Sequence, residues 1–258
     1  MEGGEESMIY LTGDCHREFE RLNSRNFPEQ KEMTKEDYVI ICGDFGGVWS
    51  SGEESKEETW ILDWLESRPF TILFVDGNHE NFDRLCALPE EQWQGGKIHR
   101  IRPSVIHLMR GQIFELQGKT FFTFGGASSH DIDGGILEPE DPEFRKKKKA
   151  LDREWTSYRI NHQSWWKEEL PSEKEMQEGR RNLKERNHTV DFIVTHCCAD
   201  STLKQIGGGY YQPDLLTSYL EEIRRTVQYR KWFFGHYHEN RNLGDKEILI
   251  YEQIIRIS

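Results

Sequence analysis

The chain has 258 residues, 35% of them hydrophobic and 31% charged, which is enough for a sizeable buried core and excludes a disordered polypeptide. A formal net charge of −12 argues against wholesale binding to nucleic acid, and no apolar run approaches the roughly 18 residues that a membrane span requires. Cys15, Cys42, Cys86, Cys197 and Cys198 show no CxxC spacing, which excludes a disulfide framework or a zinc finger, so packing is their expected role.

The opening "MEGGEES" is acidic and glycine-rich and is expected to fray. No signal-peptide pattern precedes Met8, so a cytoplasmic protein is expected. "MIYLTGDCH" (8–16) is the first of several short apolar runs that end in Asp, Asn or His. "YVIICGD" (38–44), "TILFVDGNHE" (71–80), "DFIVTH" (191–196) and "KWFFGHYH" (231–238) repeat the design, and all but "DFIVTH" carry a glycine just before those residues. Such runs predict strands buried on both faces, in sheets covered by helices, with the glycine releasing the chain into a turn.

Between the runs lie helical patterns. "ESKEETWILDWLES" predicts a helix with Trp60, Ile61, Trp64 and Leu65 on one face and a capping box of Ser55 and Glu58. Residues 98–125 read as successive strands turning at Gly111 and Gly118. The acid-free stretch from Gln92 to Phe114 holds Lys97, Arg100, Arg102 and Arg110, a local basic strip in an acidic protein. Residues 127–190 then interrupt the pattern with a loop-like segment, a basic "RKKKK", the aromatics Trp155, Tyr158, Trp165 and Trp166, and a polar helix opened by Ser172 and Glu175. They read as an insertion packed on a single domain. "PDLLTSYLEEIRR" predicts a helix burying Leu215, Leu216, Tyr219, Leu220 and Ile223, with Pro213 at its first position. Strands alternating with helices, and a strand-rich stretch, make an α/β sandwich.

In open α/β sheets, ligands gather beyond the carboxyl ends of the strands. That rule brings Asp14, His16, Asp44, Asn78, His79, His196, His236 and His238 to one edge. Oxygen and imidazole donors without thiolate suit Mn, Fe, Zn or similar divalent ions. Asp14 and Asp44 supply two negative charges, so two divalent ions would leave a pocket of about +2, attractive to phosphate even on an acidic protein.

The order GDxH, GD, GNHE, an apolar run ending in His, and GHxH spans residues 13 to 238 and resembles the calcineurin-like metallophosphoesterase superfamily. The resemblance implies a four-layer αββα sandwich with two mixed β-sheets between helices. It implies two metal ions, with Asp14, His16 and His238 on one, Asn78, His196 and His236 on the other, and Asp44 bridging both. His79 matches the family's histidine beside the phosphate and leaving group. The implied activity is hydrolysis of phosphomonoesters or phosphodiesters by a metal-bridging hydroxide. The chain departs from a familiar version at "GDFGGVW", which lacks the phosphate-binding arginine of GDxVDRG, and at Arg17, where many relatives have glycine. Arg17, Arg110 in "LMRGQ" and His130 in "FGGASSHD" are therefore the candidate substrate-binding residues, with Asp131 beside the last. A phosphoester, small molecule or nucleotide, is the expected substrate. A nuclease or cyclic-nucleotide phosphodiesterase, encouraged by the strip at 97–110, and a non-catalytic scaffold that binds proteins are the alternatives. Fold and metal site are shared across many phosphoester chemistries, so substrate and oligomeric state stay open.

Overall fold

The computed structural model describes residues 8–257, so the fraying expected of residues 1–7 lies outside the described residues. The first three apolar runs form β1 (Ile9–Thr12), β2 (Tyr38–Ile41) and β3 (Thr71–Phe74), every residue of which is buried. Helix α1 (Lys56–Glu66) precedes β3 and the short α2 (Phe82–Leu85) follows it. Next come β4 (Glu90–Trp93), β5 (Gly96–Arg102), β6 (Val105–Leu108), β7 (Gln112–Leu116) and β8 (Lys119–Phe124). The segment after them holds β9 (Ile136–Leu137), α3 (Phe144–Glu154), β10 (Arg159–Ile160) and α4 (Glu173–Glu185). The chain ends with β11 (Phe192–Thr195), α5 (Asp200–Gly207), α6 (Leu215–Thr226), β12 (Lys231–Phe234), β13 (Arg241–Leu243), β14 (Glu247–Leu249) and β15 (Ile255–Arg256).

Two mixed sheets result. The seven-stranded sheet has the order β15-β1-β2-β3-β6-β5-β4, parallel from β1 to β6 and antiparallel at both margins. The six-stranded sheet has the order β13-β14-β12-β11-β8-β7, again parallel in its middle. Alternation along each strand then decides the layers. Leu11, Ile40 and Leu73 meet Phe121, Val194 and Phe233 between the sheets. Val39, Ile41 and Phe74 face outward onto Leu62 and Leu65 of α1. On the far side Phe122, Ile193 and Trp232 pack on Met176, Leu203, Leu216 and Leu220 of α4, α5 and α6. The architecture is the αββα sandwich, and its strands read as unbroken apolar runs because both faces are covered.

Three details differ from the sequence patterns. In α1 the buried side is Glu58, Leu62 and Leu65, while Trp60 is 67% exposed. Ser55 caps the helix, but Glu58 does not return the bond; its carboxylate accepts from Ser50 N at 2.9 Å and pairs with Arg84. In α6 the cap is Asp214, which exchanges bonds with Thr217, so Pro213 stands outside the helix and Leu215 is exposed. Residues 127–190 are not one inserted unit either. Helix α4, opened by the Ser172–Glu175 capping box, buries Met176 and Leu183 and belongs to the outer helical layer. Only the stretch before it, with β9 and β10 paired in a small sheet and α3 lacking a fully buried residue, lies beyond the sandwich.

The two faces of α1 give a direct stability test. Leu62→Ala should cost about 2–5 kcal/mol in urea denaturation, as expected for a buried leucine. Trp60→Ala should stay within about 0.5 kcal/mol of the parent protein. Equal losses at both positions would mean that Trp60 carries the packing.

Candidate metal centre

The carboxyl ends of β1, β2 and β3 in one sheet and of β11 and β12 in the other converge, and the residues just beyond each strand carry the polar groups. The chain turns sharply there. His16, Arg17, Asp44, His236 and His238 have φ of 45°, 69°, 46°, 72° and 50°, all in the left-handed region that costs a non-glycine residue energy. The motif glycines clear space as well as turn the chain. A Cβ on Gly77 would lie 2.0 Å from Asp44 Oδ1, on Gly235 2.0 Å from Asp14 Oδ1, and on Gly43 2.1 Å from His196 Nδ1. Each glycine thus makes room for a donor that arrives from another strand end.

Asp14, His16 and His238 present donor atoms within 4.8 Å of one another, as do Asp44, His196 and His236. A third such group joins His16, Asp44 and His79, so His79 also stands within reach of the centre. Asp44 lies between the clusters: its Oδ2 is 3.4 Å from His16 Nε2 and 3.4 Å from His196 Nε2. Asn78 Oδ1 is 3.3 Å from His196 Nε2, and His238 Nε2 is 3.2 Å from Asp14 Oδ2. His196 Nδ1 sits 2.8 Å from the Cys42 carbonyl, which can only accept, so Nδ1 carries the hydrogen and Nε2 faces Asp44 and Asn78. Backbone amides fix both carboxylates: His236 N–H donates to Asp14 Oδ1 at 2.9 Å, and His79 N–H to Asp44 Oδ1 at 2.8 Å.

Burial opposes protonation of His196, but Asp44 and then Asp14 push its pKa up to about 10. Burial likewise opposes ionisation of Asp44, yet His196, His79 and His16 hold it well below the carboxylate range. Two buried carboxylates, an amide oxygen and four imidazoles, with no thiolate, form a donor set that fits divalent ions of hard or borderline character.

The family model for calcineurin-like phosphoesterases matches residues 7–240. The chain belongs to that family. Its members are hydrolases of phosphoester bonds that use divalent metals. Among curated proteins, the chain is similar to lariat debranching enzyme A of Xenopus laevis, 26% identical over 143 residues, covering 50% of this chain and 26% of the relative. The lariat debranching enzyme of Danio rerio is 25% identical over 150 residues, covering 52% and 25% of the two chains. That of Caenorhabditis briggsae is 24% identical over 157 residues, covering 56% and 29%. The matches thus span only about a quarter of these relatives' length.

Around the centre of this phosphoesterase the three candidate substrate residues fare differently. Arg17 is exposed and stacks over Trp49, with Cζ 4.6 Å from the ring centroid, and has no ion pair with Glu18 or Glu20 among the described residues. His130 Nε2 is 2.9 Å from His236 Nε2, and its ring packs on Tyr211. Asp131 turns away to pair with Arg159. Arg110 is engaged within the fold. Its side chain is buried, donates from Nε to Asp76 Oδ2 at 2.8 Å and from Nη2 to the Glu168 carbonyl at 2.7 Å, and so neutralises a buried carboxylate. The rest of the basic strip is spent in the same way. Lys97 pairs with Glu178 at 3.0 Å, Arg100 with Glu91 at 2.8 Å, and Arg102 with Asp63 at 3.0 Å and with Glu54.

Other residues contribute that the sequence reading did not single out. Glu80, the last residue of "GNHE", accepts from Phe45 N at 2.7 Å and Gly46 N at 3.2 Å and so fastens the loop after Asp44. Burial and the neighbouring Asp44 push its pKa up to about 8. Ser129 accepts from Asn78 Nδ2 at 3.3 Å and donates to Glu169 Oε2 at 2.6 Å. The motif itself was the signal for Glu80, whereas no sequence pattern ties Glu169 to Asn78.

Arg110 separates structure from binding. Arg110→Ala leaves Asp76 as a buried charge without its strongest partner and should cost about 3–5 kcal/mol of stability. Inhibition of the folded variant by inorganic phosphate should match the parent protein. Weaker phosphate inhibition with unchanged denaturation would return Arg110 to the substrate site.

Proposed function

We propose that this protein is a two-metal phosphodiesterase. The observation that carries the reading is the position of Asp44 Oδ2, 3.4 Å from one imidazole of each cluster, where one carboxylate can serve two ions. Asp14, His16 and His238 would hold one ion, and Asn78, His196 and His236 the other. Two bound divalent ions supply Lewis-acid stabilisation of the phosphoryl oxygens and lower the pKa of a water at neutral pH. The chain's own groups do the rest. Asp44, pinned by the His79 amide and by the loop that Glu80 fastens, keeps the two clusters in register. Arg17, exposed one residue after His16 and stacked on Trp49, would meet a phosphate oxygen as a planar donor. Burial lowers the pKa of His79, Asp44 opposes this and Arg159 adds to the lowering, and His79 would give a proton or a hydrogen bond to a departing oxygen. Relatives named as lariat debranching enzymes support a diester over a monoester. All seven donors of the proposed set are present, which disfavours the non-catalytic scaffold.

The decisive measurement is metal content alongside a panel of nitrophenyl mono- and diesters with Mn²⁺. The parent protein should bind two ions per chain and turn over the diester faster. Asp44→Asn should weaken both ions together, and Asp14→Asn one more than the other. Two ions at full occupancy and full activity in Asp44→Asn would remove the shared carboxylate and with it the two-metal reading.

His79 makes a second, chemically sharper prediction. An alkoxide leaves poorly without a proton or hydrogen bond, whereas a nitrophenolate carries its charge easily. His79→Asn should therefore slow alkyl esters by about 10²–10⁴-fold in kcat/KM and nitrophenyl esters much less, with metal content unchanged. Equal losses for both leaving groups would instead assign His79 to orienting the phosphoryl group.

A further inference from the structure

The strip at 97–110 is neutralised by ion pairs, but a second basic stretch is only half paired. Helix α3 carries "RKKKK" and Arg153 in a chain of net charge −12. Three of its cations are paired: Lys146 with Glu143, Lys147 with Asp141 and Lys148 with Asp152, at 2.8, 2.6 and 3.0 Å. Arg145, Lys149 and Arg153 are exposed and have no ion-pair partner among the described residues. They are spaced four apart, so they follow one another along one flank with a rise of about 6 Å and a drift of about 40° per step. The opposite side of the helix, with Phe144 and Leu151 partly buried, rests on β9 and on Gly134. The apolar side is thus used within the fold, and the basic side faces solvent.

Trp155 closes this helix. It is 93% exposed, and its φ of 54° puts a bulky residue in the left-handed position where helices usually end in glycine. Its ring has no aromatic or cation–π partner among the described residues. The left-handed turn is held by the Trp155 and Thr156 amides, which both donate to the Leu151 carbonyl, but the indole itself stays uncovered. Four residues later Arg159 pairs with Asp131, beside His130 at the rim of the centre. Four residues span at most about 14 Å, so Trp155 lies within a few nucleotide lengths of that rim.

We propose that α3 and Trp155 form a docking surface for a single-stranded nucleic acid, with Arg145, Lys149 and Arg153 meeting successive phosphates and Trp155 stacking on a base. A row of cations matched to an extended sugar–phosphate backbone, ended by an exposed aromatic, is the combination that binds single strands without sequence preference. An acidic peptide or a polyphosphate would use the cations and leave the indole idle. An anionic membrane would need the apolar side of α3, which is committed to β9. The surface names a substrate class for the phosphodiesterase reading and rests on that reading only for where the strand leads, because docking itself needs no turnover.

The test is fluorescence anisotropy of a labelled single-stranded phosphorothioate oligonucleotide with the intact metal-loaded protein, compared with inorganic polyphosphate as a base-free polyanion. The combined Arg145→Ala, Lys149→Ala and Arg153→Ala variant should bind the oligonucleotide at least tenfold more weakly. Its log–log salt slope should fall by about 2, from roughly 0.7 per phosphate contact. Trp155→Ala should weaken oligonucleotide binding about fivefold or more and leave polyphosphate binding unchanged. Hydrolysis of a small nitrophenyl diester should stay at the parent level in both variants, which verifies that they are folded. Oligonucleotide binding unaffected by either variant would overturn the proposal, as would equal losses for polyphosphate and oligonucleotide in Trp155→Ala. A parent protein that binds the strand but hydrolyses no ester would leave this surface standing and sink the phosphodiesterase reading instead.

Discussion

The position of one carboxylate constrains the rest of this molecule. Asp44 must stand between two groups of donors drawn from both sheets, and several unfavourable local choices exist to put it there. Its own backbone is left-handed, its Oδ1 occupies the space that a Cβ on Gly77 would fill, and the amide of His79 points at it. The following loop is fastened by Glu80, whose carboxyl is raised to about 8 by burial and by Asp44 itself. A second fixed anion at that point would compete with Asp44 for the same cations. Burial and Asp44 disfavour that second charge on Glu80, whose carboxyl oxygens accept the two loop amides all the same. Positioning and electrostatics are thereby assigned to different acids.

The sandwich explains why such convergence is attainable. Parallel strands present their carboxyl ends on one side, and two sheets packed face to face bring two such sides together. The slab between the sheets, with Leu11, Ile40 and Leu73 against Phe121, Val194 and Phe233, therefore sets the separation of the donor groups as well as much of the stability. The donors are short-tethered: each follows its strand within a few residues, and each cluster draws on both sheets, so a shift of one sheet against the other would pull the clusters apart. Packing and chemistry are coupled through that slab.

Much of this was legible in the sequence because it is written in local terms. An apolar run ending in glycine and a polar residue records a buried strand and its exit, and five such records in order point to one edge. What was not legible depends on partners distant in the chain. Arg110 reads as an arginine beside a turn, and only the fold reveals that Asp76 is buried against it and needs its charge. Trp60 fits the helical stripe as well as Leu62 does, but the sheet beneath α1 selects Leu62 and Leu65. The basic strip at 97–110 looked available because each of its acidic partners comes from another segment or the neighbouring strand. A charge pattern in one dimension cannot tell a paired cation from an unpaired one, and among the described residues Arg145, Lys149 and Arg153 of α3 are in no ion pair whereas the strip at 97–110 is paired throughout.

The same long-range pairing ties the segment before α4 to the centre. Arg110 joins buried Asp76, at the end of β3, to the carbonyl of Glu168. The adjacent Glu169 is buried and accepts from the Ser129 hydroxyl, which in turn accepts from the amide of Asn78. An amide side chain has one acceptor end and one donor end. Binding the Nδ2 end of Asn78 to Ser129 leaves its Oδ1 facing His196, 3.3 Å away, and so toward the second cluster of donors. The loop that looked like an addition to the sandwich thus decides which end of Asn78 meets the centre. Its outer helix can then vary in charge and exposure without disturbing that choice, because Glu169 and Arg110 are anchored in the core beneath it.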